Sequence, residues 1–130
     1  MFIDTSVIVA TLSNEDDAAA LAERIEAAPL RVTSALVFLE ATMRLSTKLA
    51  IHPLAVEKRI QAFLTEADIG FAPMDEHTAA LSMKAFADYG KGTSHPAQLN
   101  LADCLSYACA KAQGIPLAYQ GEDFSHTDLA

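Results

Sequence analysis

Short apolar runs alternate with longer stretches of helical periodicity along the chain. Four runs of four or five mostly apolar residues predict buried strands: Met1–Asp4, Leu30–Thr33, Phe71–Met74 and Ile115–Tyr119. Two helical stretches separate each run from the next, namely Thr5 to Leu12, Asn14 to about Ala28, Ser34 to about Ala50, Pro53 to about Gly70, Asp75 to about Gly90, and Asn100 to Gly114. The order β-α-α-β-α-α-β-α-α-β predicts an α/β fold with a parallel sheet sandwiched by helices.

Length and composition favour one globular domain over residues 1–130. Apolar residues make up 52% of the chain and charged residues 20%, which is typical of globular proteins. No apolar stretch approaches the roughly 18 residues that a membrane span needs. No basic segment precedes the first apolar run, so we expect no signal peptide and a cytoplasmic location. We expect Cys104 and Cys109 to be buried free thiols.

Four acidic residues fall where the predicted elements meet. Asp4 ends the first strand, and Glu40 directly follows an apolar stretch, which predicts a largely buried carboxylate. Asp103 lies one turn into the last helix, and Asp123 lies just past the last strand. Residues beyond the carboxyl ends of parallel strands converge on one crevice, so we expect these four acids to lie together.

Each acid also has an ordinary structural explanation. Asp4 can cap a helix, Glu40 can pair with Arg44 one turn later, Asp103 suits the start of a helix, and Asp123 can belong to a turn. A cluster of carboxylates, however, needs a cation, because like charges in close contact cannot all stay ionised unaided. Mg²⁺ and Mn²⁺ are the usual partners of such oxygen ligands. Metal-assisted attack on a phosphodiester is therefore the first hypothesis.

The net charge of −8 argues against a protein that binds nucleic acid by covering its phosphates with lysine and arginine. It does not exclude a nuclease whose metal ions supply positive charge. Arg44 and Lys48 lie one and two turns beyond Glu40 on the same helical face. Two readings of them stay open, a Glu40–Arg44 ion pair on a solvated face and a contact with a substrate phosphate.

The chain resembles the PIN-domain ribonucleases and, among them, the VapC-type toxins of bacterial toxin–antitoxin pairs. The resemblance covers nearly the whole length. It rests on four motifs in order: Phe2-Ile3-Asp4-Thr5-Ser6; Ser34-Ala35 leading to Leu39-Glu40-Ala41; His95-Pro96-Ala97 followed by Leu99-Asn100-Leu101-Ala102-Asp103-Cys104; and Gly121-Glu122-Asp123-Phe124-Ser125-His126-Thr127-Asp128. It implies the PIN fold, with a sheet of about four to five strands and about six to seven helices.

The resemblance implies an endoribonuclease that depends on Mg²⁺ or Mn²⁺. The family's catalytic, metal-binding acids correspond to Asp4, Glu40, Asp103 and Asp123, and supporting roles fall to Thr5, Ser6 and Asn100. Two departures are an alanine, Ala102, where a glycine often precedes the third acid, and the neighbouring acids Glu122 and Asp128, which leave the fourth ligand open.

The same resemblance implies an RNA substrate of the tRNA or rRNA class, a cognate antitoxin protein and a two-fold homodimer, with no membrane partner. The apolar surface of one helical stretch exceeds what a half-buried helix requires, which predicts an association surface at Val37, Phe38, Leu45, Leu49 and Ile51.

Three other classes were weighed. A haloacid-dehalogenase-like phosphatase carries a second acid two residues after the first, where this chain has Ser6. A phosphoacceptor signalling domain needs a lysine near the end of its last strand, and Tyr119-Gln120-Gly121 offers none. The third alternative is a PIN-like binding module without catalysis, and the presence of all four acids argues against it.

Overall fold

A computed structural model describes all 130 residues of the chain. Its sheet contains four two-residue strands, which are β1 (Phe2–Ile3), β2 (Val32–Thr33), β3 (Gly70–Phe71) and β4 (Leu117–Ala118). The strand order is β3-β2-β1-β4 and every pairing is parallel. All four carboxyl ends therefore lie at the same edge of the sheet.

Six helices surround this sheet in the predicted order: α1 (Thr5–Leu12), α2 (Ala18–Ala27), α3 (Ala35–Leu49), α4 (Pro53–Glu66), α5 (Glu76–Tyr89) and α6 (Leu101–Gln113). Helix α3 packs against α1 and α4, and α6 packs against α5 and against β1 and β4. The predicted α/β class and the parallel sheet are confirmed. None of the helices combines the length and apolar character that crossing a membrane requires.

Local capping explains why most helix starts were predicted correctly. Ser34 accepts a hydrogen bond from the Val37 amide at 3.2 Å to start α3, and Asp75 accepts one from Thr78 at 3.0 Å to start α5. These side chains satisfy amide groups that the first helical turn leaves without a partner. At the C-terminus of α6, Gly114 adopts the left-handed conformation (φ 64°) that ends many helices.

The structure corrects the predicted boundaries: each strand has two residues where the sequence predicted four or five, and α2 and α4 are shorter than predicted. Helix α2 begins at Ala18 rather than Asn14, because Asn14 has a positive φ of 53° and belongs to a turn. Helix α4 ends at Glu66, short of the predicted end near Gly70. Strand β3 is Gly70–Phe71 rather than Phe71–Met74, since Pro73 has no amide hydrogen with which to continue the ladder.

The core surrounds the central strand. Phe2, Ile3 and Phe124 are fully buried, and both cysteines are buried and free, as predicted. The predicted association surface is wrong, because its residues serve the core. Val37 and Leu45 are buried, and their companions Phe38, Leu49 and Ile51 are partly buried against the same core. The exposed apolar side chains of α3 are instead Leu39 and Met43.

Candidate active site

The four predicted acids lie near the carboxyl edge of the sheet, in loops that follow its strands and in the early turns of two helices. Asp4 connects β1 to α1, and Glu40 lies in the second turn of α3, the helix that follows β2. Asp103 lies in the first turn of α6, and Asp123 lies in the turn after β4. Asp4, Glu40 and Asp123 all lie near enough to Asp103 for their charges to affect its pKa. The four form what is here called the acid cluster.

Asp4 is buried and held at both oxygens. Its Oδ2 accepts hydrogen bonds from the Ser6 amide at 3.1 Å and from Ser6 Oγ at 2.7 Å. Its Oδ1 accepts one from Ser106 Oγ on α6 at 2.8 Å. A carboxylate oxygen can accept two hydrogen bonds, so Oδ1 keeps one position for another partner. Asp4 is therefore a fixed carboxylate with one oxygen still available.

Ser6 also ties Asp4 to the segment that leads to Asp123. Its Oγ accepts a hydrogen bond from the Gln120 amide at 3.0 Å while it donates to Asp4. The Gln120 side chain donates to Asp17 Oδ2 at 2.5 Å. The chain after β4 is thereby fastened to the start of α1 and to the residue before α2.

Asp103 is fixed by a reciprocal cap with Asn100. The Asp103 amide donates to Asn100 Oδ1 at 2.9 Å, and Asp103 Oδ2 accepts from the Asn100 amide at 3.1 Å. Burial, opposed by the Asn100 amide, and the charges of Asp123, Asp4 and Glu40 together raise the pKa of Asp103 to about 6. Burial and repulsion within the acid cluster thus both disfavour the ionised form of Asp103.

Glu40 and Asp123 have no hydrogen-bond or ion-pair partner, unlike the first two acids. The expectation that Glu40 is largely buried is confirmed, since most of its surface is covered by the fold. Asp123 and its neighbour Glu122 are exposed. Asp128, the other acid near the fourth position, is bound by Tyr107 and Lys111. Both partnerless carboxylates remain free to turn toward a ligand.

No lysine or arginine neutralises the acid cluster. The ion pairs of the structure lie elsewhere and join Lys48 to Glu15, Lys84 to Asp88, and Lys111 to Asp128. The Glu40–Arg44 ion pair, one of the two readings of this helical face, is absent. The four carboxylates therefore lie in one region of the structure without a counter-ion, which is unfavourable unless a cation joins them.

The donor chemistry of the cluster fits a hard divalent cation, because every candidate ligand is a carboxylate or hydroxyl oxygen. The side chains do not close on a single point, and no three of them lie close enough together to ligate one ion directly. Mg²⁺ usually keeps several waters and is held by only one or two carboxylates. The cluster accordingly fits a hydrated ion held by one or two of its acids.

Two positions escaped the sequence analysis, and one predicted supporting residue makes no polar contact. Ser106 follows Asp103 by three residues and so shares its helical face, a spacing that could have revealed it. The Gln120 amide carries no signal in the sequence. Thr5, which was predicted to support the site, has a buried Oγ1 with no hydrogen-bond partner.

Comparison with known proteins shows the family. The family model described as PIN domain matches residues 1–129, so the chain belongs to the PIN-domain family. The chain is 40% identical over 129 residues to Ribonuclease VapC28 of Mycobacterium tuberculosis, covering 99% of this chain and 95% of that protein. It is 39% identical over 140 residues to VapC ribonuclease R02377 of Rhizobium meliloti, covering 98% of each.

Two solved structures share the fold. A toxin–antitoxin complex from Klebsiella pneumoniae has a chain that matches with a TM-score of 0.71 and 18% identity, covering 98% of this chain and 92% of that one. Mycobacterium tuberculosis VapC20, described as a sarcin–ricin loop cleaving toxin, matches with a TM-score of 0.67 and 20% identity, covering 95% and 92%. At these identities the likeness is one of fold.

Proposed function

We propose that this protein is a Mg²⁺- or Mn²⁺-dependent endoribonuclease and the toxin of a toxin–antitoxin pair. The observation that carries the proposal is the acid cluster without a counter-ion, in which burial and the charges of the other three acids raise the pKa of Asp103. Membership of the PIN-domain family supports it, as do relatives named VapC ribonucleases at 38–40% identity over nearly the full length. Family membership also removes the phosphatase and phosphoacceptor alternatives.

In the proposed reaction, neighbouring residues hold the carboxylates of the acid cluster in position. Ser6 and Ser106 fix the Asp4 carboxylate, and Asn100 fixes Asp103. With its pKa near 6, Asp103 is mainly ionised at neutral pH. A divalent ion held by these carboxylates would polarise the scissile phosphate and lower the pKa of a nearby water. In-line attack of water on phosphorus would break the bond from phosphorus to the 3′-oxygen and leave a 5′-phosphate and a 3′-hydroxyl, as the family resemblance implies.

Cleavage of RNA by the purified protein tests this proposal. Bacterial tRNA and rRNA should be cut in the presence of Mg²⁺ or Mn²⁺ and stay intact in EDTA, and cutting should return when metal is restored. The variant that combines Asp4→Asn, Glu40→Gln and Asp103→Asn should be inactive with either ion. Equal cutting by this variant, or cutting that persists in EDTA, would overturn the proposal. A protein that cuts neither RNA in either metal would instead be a binding module without catalysis.

The proposed partner is a cognate antitoxin whose disordered basic tail folds on the toxin. An acidic protein with a concentrated carboxylate cluster attracts arginine and lysine, so we expect a basic side chain of the tail among Asp4, Glu40 and Asp103. Inhibition should compete with Mg²⁺. An antitoxin tail stripped of its basic residues should still bind through apolar contacts and inhibit poorly; full inhibition by that tail would refute the mechanism.

A two-fold homodimer is the proposed assembly, as the family resemblance implies. The apolar side chains that the fold leaves exposed between α5 and α6 support it, with Met83, Phe86 and Leu101 exposed by 71%, 54% and 76%. They border an apolar groove of about 330 Å³. Light scattering at micromolar concentration should show a dimer for the wild type and a monomer for Phe86→Lys. A wild-type monomer would contradict this assembly.

A further inference from the structure

A cleft beside the acid cluster has no assigned role. It lies where α1 and α3 meet the segment that leads to α2, and its volume is about 500 Å³. Its lining combines two cations, one acid, one hydroxyl and two apolar side chains: Arg44, Lys48, Glu15, Thr47, Val9 and Met43. The two cations give this lining the means to receive an anionic ligand.

Arg44 is the free cation of this cleft. It is exposed, and no carboxylate oxygen lies within 4 Å of its guanidinium group. By contrast, Arg31 donates to three backbone carbonyls, and Lys48 is paired with Glu15 at 2.6 Å. Because neither a carboxylate nor a carbonyl engages Arg44, its charge and its hydrogen-bond donors remain available to a ligand.

Arg44 also has a particular place relative to the acid cluster. It is the one lysine or arginine within four residues of any of the four acids along the chain. On α3 it follows Glu40 by one turn, about 6 Å along the helix axis, and lies on the same face. A polyanion that reaches the acid cluster therefore passes within reach of Arg44.

We propose that this cleft binds a phosphate of the RNA backbone adjoining the scissile phosphate, with Arg44 as its principal ligand. The inference rests on the proposed ribonuclease activity and names how that site holds its substrate. A protein of net charge −8 repels RNA, so local cations must offset that repulsion. Guanidinium matches phosphate geometry in a bidentate manner, and a backbone contact positions RNA without reading its bases.

Breaking the Lys48–Glu15 ion pair should affect substrate binding in the opposite direction to the loss of Arg44. Glu15 places a negative charge in the cleft and occupies the Lys48 ammonium group. The Glu15→Gln substitution should remove that charge and free Lys48 for phosphate. The cleft proposal thus predicts weaker substrate binding when Arg44 is lost and tighter binding when Glu15 is neutralised.

Steady-state cleavage of total tRNA and of rRNA in Mg²⁺ measures both effects. At about 50 mM salt, Arg44→Ala should raise the apparent KM about tenfold and change kcat less than about twofold, since a ground-state phosphate contact acts mainly on binding. Arg44→Lys should recover part of the loss, and Glu15→Gln should lower the apparent KM about threefold. The KM advantage of the wild type over Arg44→Ala should shrink about threefold between 50 and 200 mM salt, since one phosphate contact to a single strand contributes about 0.7 to the salt slope.

Arg59→Ala is the matched control, because Arg59 is an exposed arginine on α4 outside the cleft and its loss changes the net charge equally. Equal apparent KM values for Arg44→Ala and Arg59→Ala at every salt concentration would overturn the cleft proposal while leaving the ribonuclease proposal intact. Absence of cleavage by the wild type in Mg²⁺ and Mn²⁺ would overturn the ribonuclease proposal and the cleft proposal with it. Thermal melting should show both variants as stable as the wild type.

Discussion

Helix α6 carries Asp103 in its first turn and binds Asp128 of the C-terminal segment nearer its other end, and the two carboxylates have opposite surroundings. At its first turn, Asp103 faces three other acids and no basic side chain, and burial together with those charges raises its pKa to about 6. At its last turn, Asp128 accepts hydrogen bonds from Lys111 Nζ at 2.8 Å and from Tyr107 Oη at 2.6 Å, which lower its pKa. One aspartate belongs to α6 and the other is bound by it, so the difference in pKa comes from their neighbours.

The contrast separates residues that serve stability from residues that serve a ligand. The Asp128 network closes the C-terminal segment onto α5 and α6, since Tyr89 on α5 also reaches Asp128 at 3.4 Å. The acid cluster lowers the stability of the metal-free protein, because its charges repel. Nothing within the chain relieves this repulsion, and a bound metal ion would. Active sites commonly depart from what folding alone would favour.

The largest expected effect is on catalysis. Asp103→Asn should lower the rate of RNA cleavage by about a thousandfold or more, because a metal-dependent site loses several kcal/mol of transition-state stabilisation with its ion. Asparagine keeps an oxygen that can accept from the Asn100 amide, so the helix cap should survive. Asp128→Asn is the matched control and should cut RNA at close to the wild-type rate. Equal rates for the two variants would show that this end of α6 has no part in the chemistry.

Asp4→Asn is a less clean variant than Asp103→Asn. Asp4 accepts three hydrogen bonds from Ser6 and Ser106, and an amide cannot accept all of them. Loss of activity there would mix lost metal binding with a displaced side chain. The Asp103 and Asp128 pair therefore gives the sharper comparison.

The second effect is on stability in the presence of metal. Mg²⁺ or Mn²⁺ at ten times its Kd should stabilise the wild type by about 1.4 kcal/mol by mass action, which is about 4 to 6 °C in Tm for a chain of this size. Asp128→Asn should keep this shift, and Asp103→Asn should lose most of it. Differential scanning fluorimetry with and without EDTA measures it, and a full shift in Asp103→Asn would exclude Asp103 as a ligand.

A third effect concerns the other end of α6. Tyr107→Phe removes the hydroxyl that donates to Asp128 from a buried ring. It should lower the free energy of unfolding by about 1 kcal/mol, the usual net worth of one hydrogen bond, and leave RNA cleavage unchanged. Urea denaturation of the metal-free protein gives the value. A loss of activity without a loss of stability would contradict the division drawn between the two ends.

The sequence predicted those parts of the fold and of the candidate site in which the interacting residues lie close together along the chain. The starts of α3, α5 and α6 follow from caps that contact amides three residues later, so the order of elements was correct. The Ser106–Asp4 hydrogen bond joins residues 102 apart, and the Gln120–Ser6 bond joins residues 114 apart. No local pattern encodes such pairs, because the tertiary fold alone brings them together.

The surfaces were the least predictable part, for a related reason. Helical periodicity identifies an apolar face but not the number of elements that will cover it. The apolar face of α3 is covered by α1 and α4, which places Val37 and Leu45 in the core. The sequence likewise does not reveal which cation pairs with which acid. In the structure Lys48 pairs with Glu15, and Arg44 is left without a carboxylate partner.

The smallest expected effect is the pH dependence of the metal-free protein, and it sets the two ends of α6 in separate pH ranges. The pKa of Asp103 is raised from its ordinary value of 3.8 to about 6 in the folded state. Between pH 3.8 and pH 6, the folded state therefore binds a proton at Asp103 that the unfolded state has largely lost. Stability from this group should therefore fall as pH rises from about 4 to about 6 and stay level above that. Asp103 is partly exposed, so screening should limit the change to about 1 kcal/mol.

Asp128 has a lowered pKa, so its contribution to stability is complete above about pH 4 and is lost as pH falls further. Urea denaturation in EDTA at closely spaced pH values should show a decline between pH 4 and 6 in the wild type and in Tyr107→Phe but not in Asp103→Asn; the same decline in Asp103→Asn would assign it to another group.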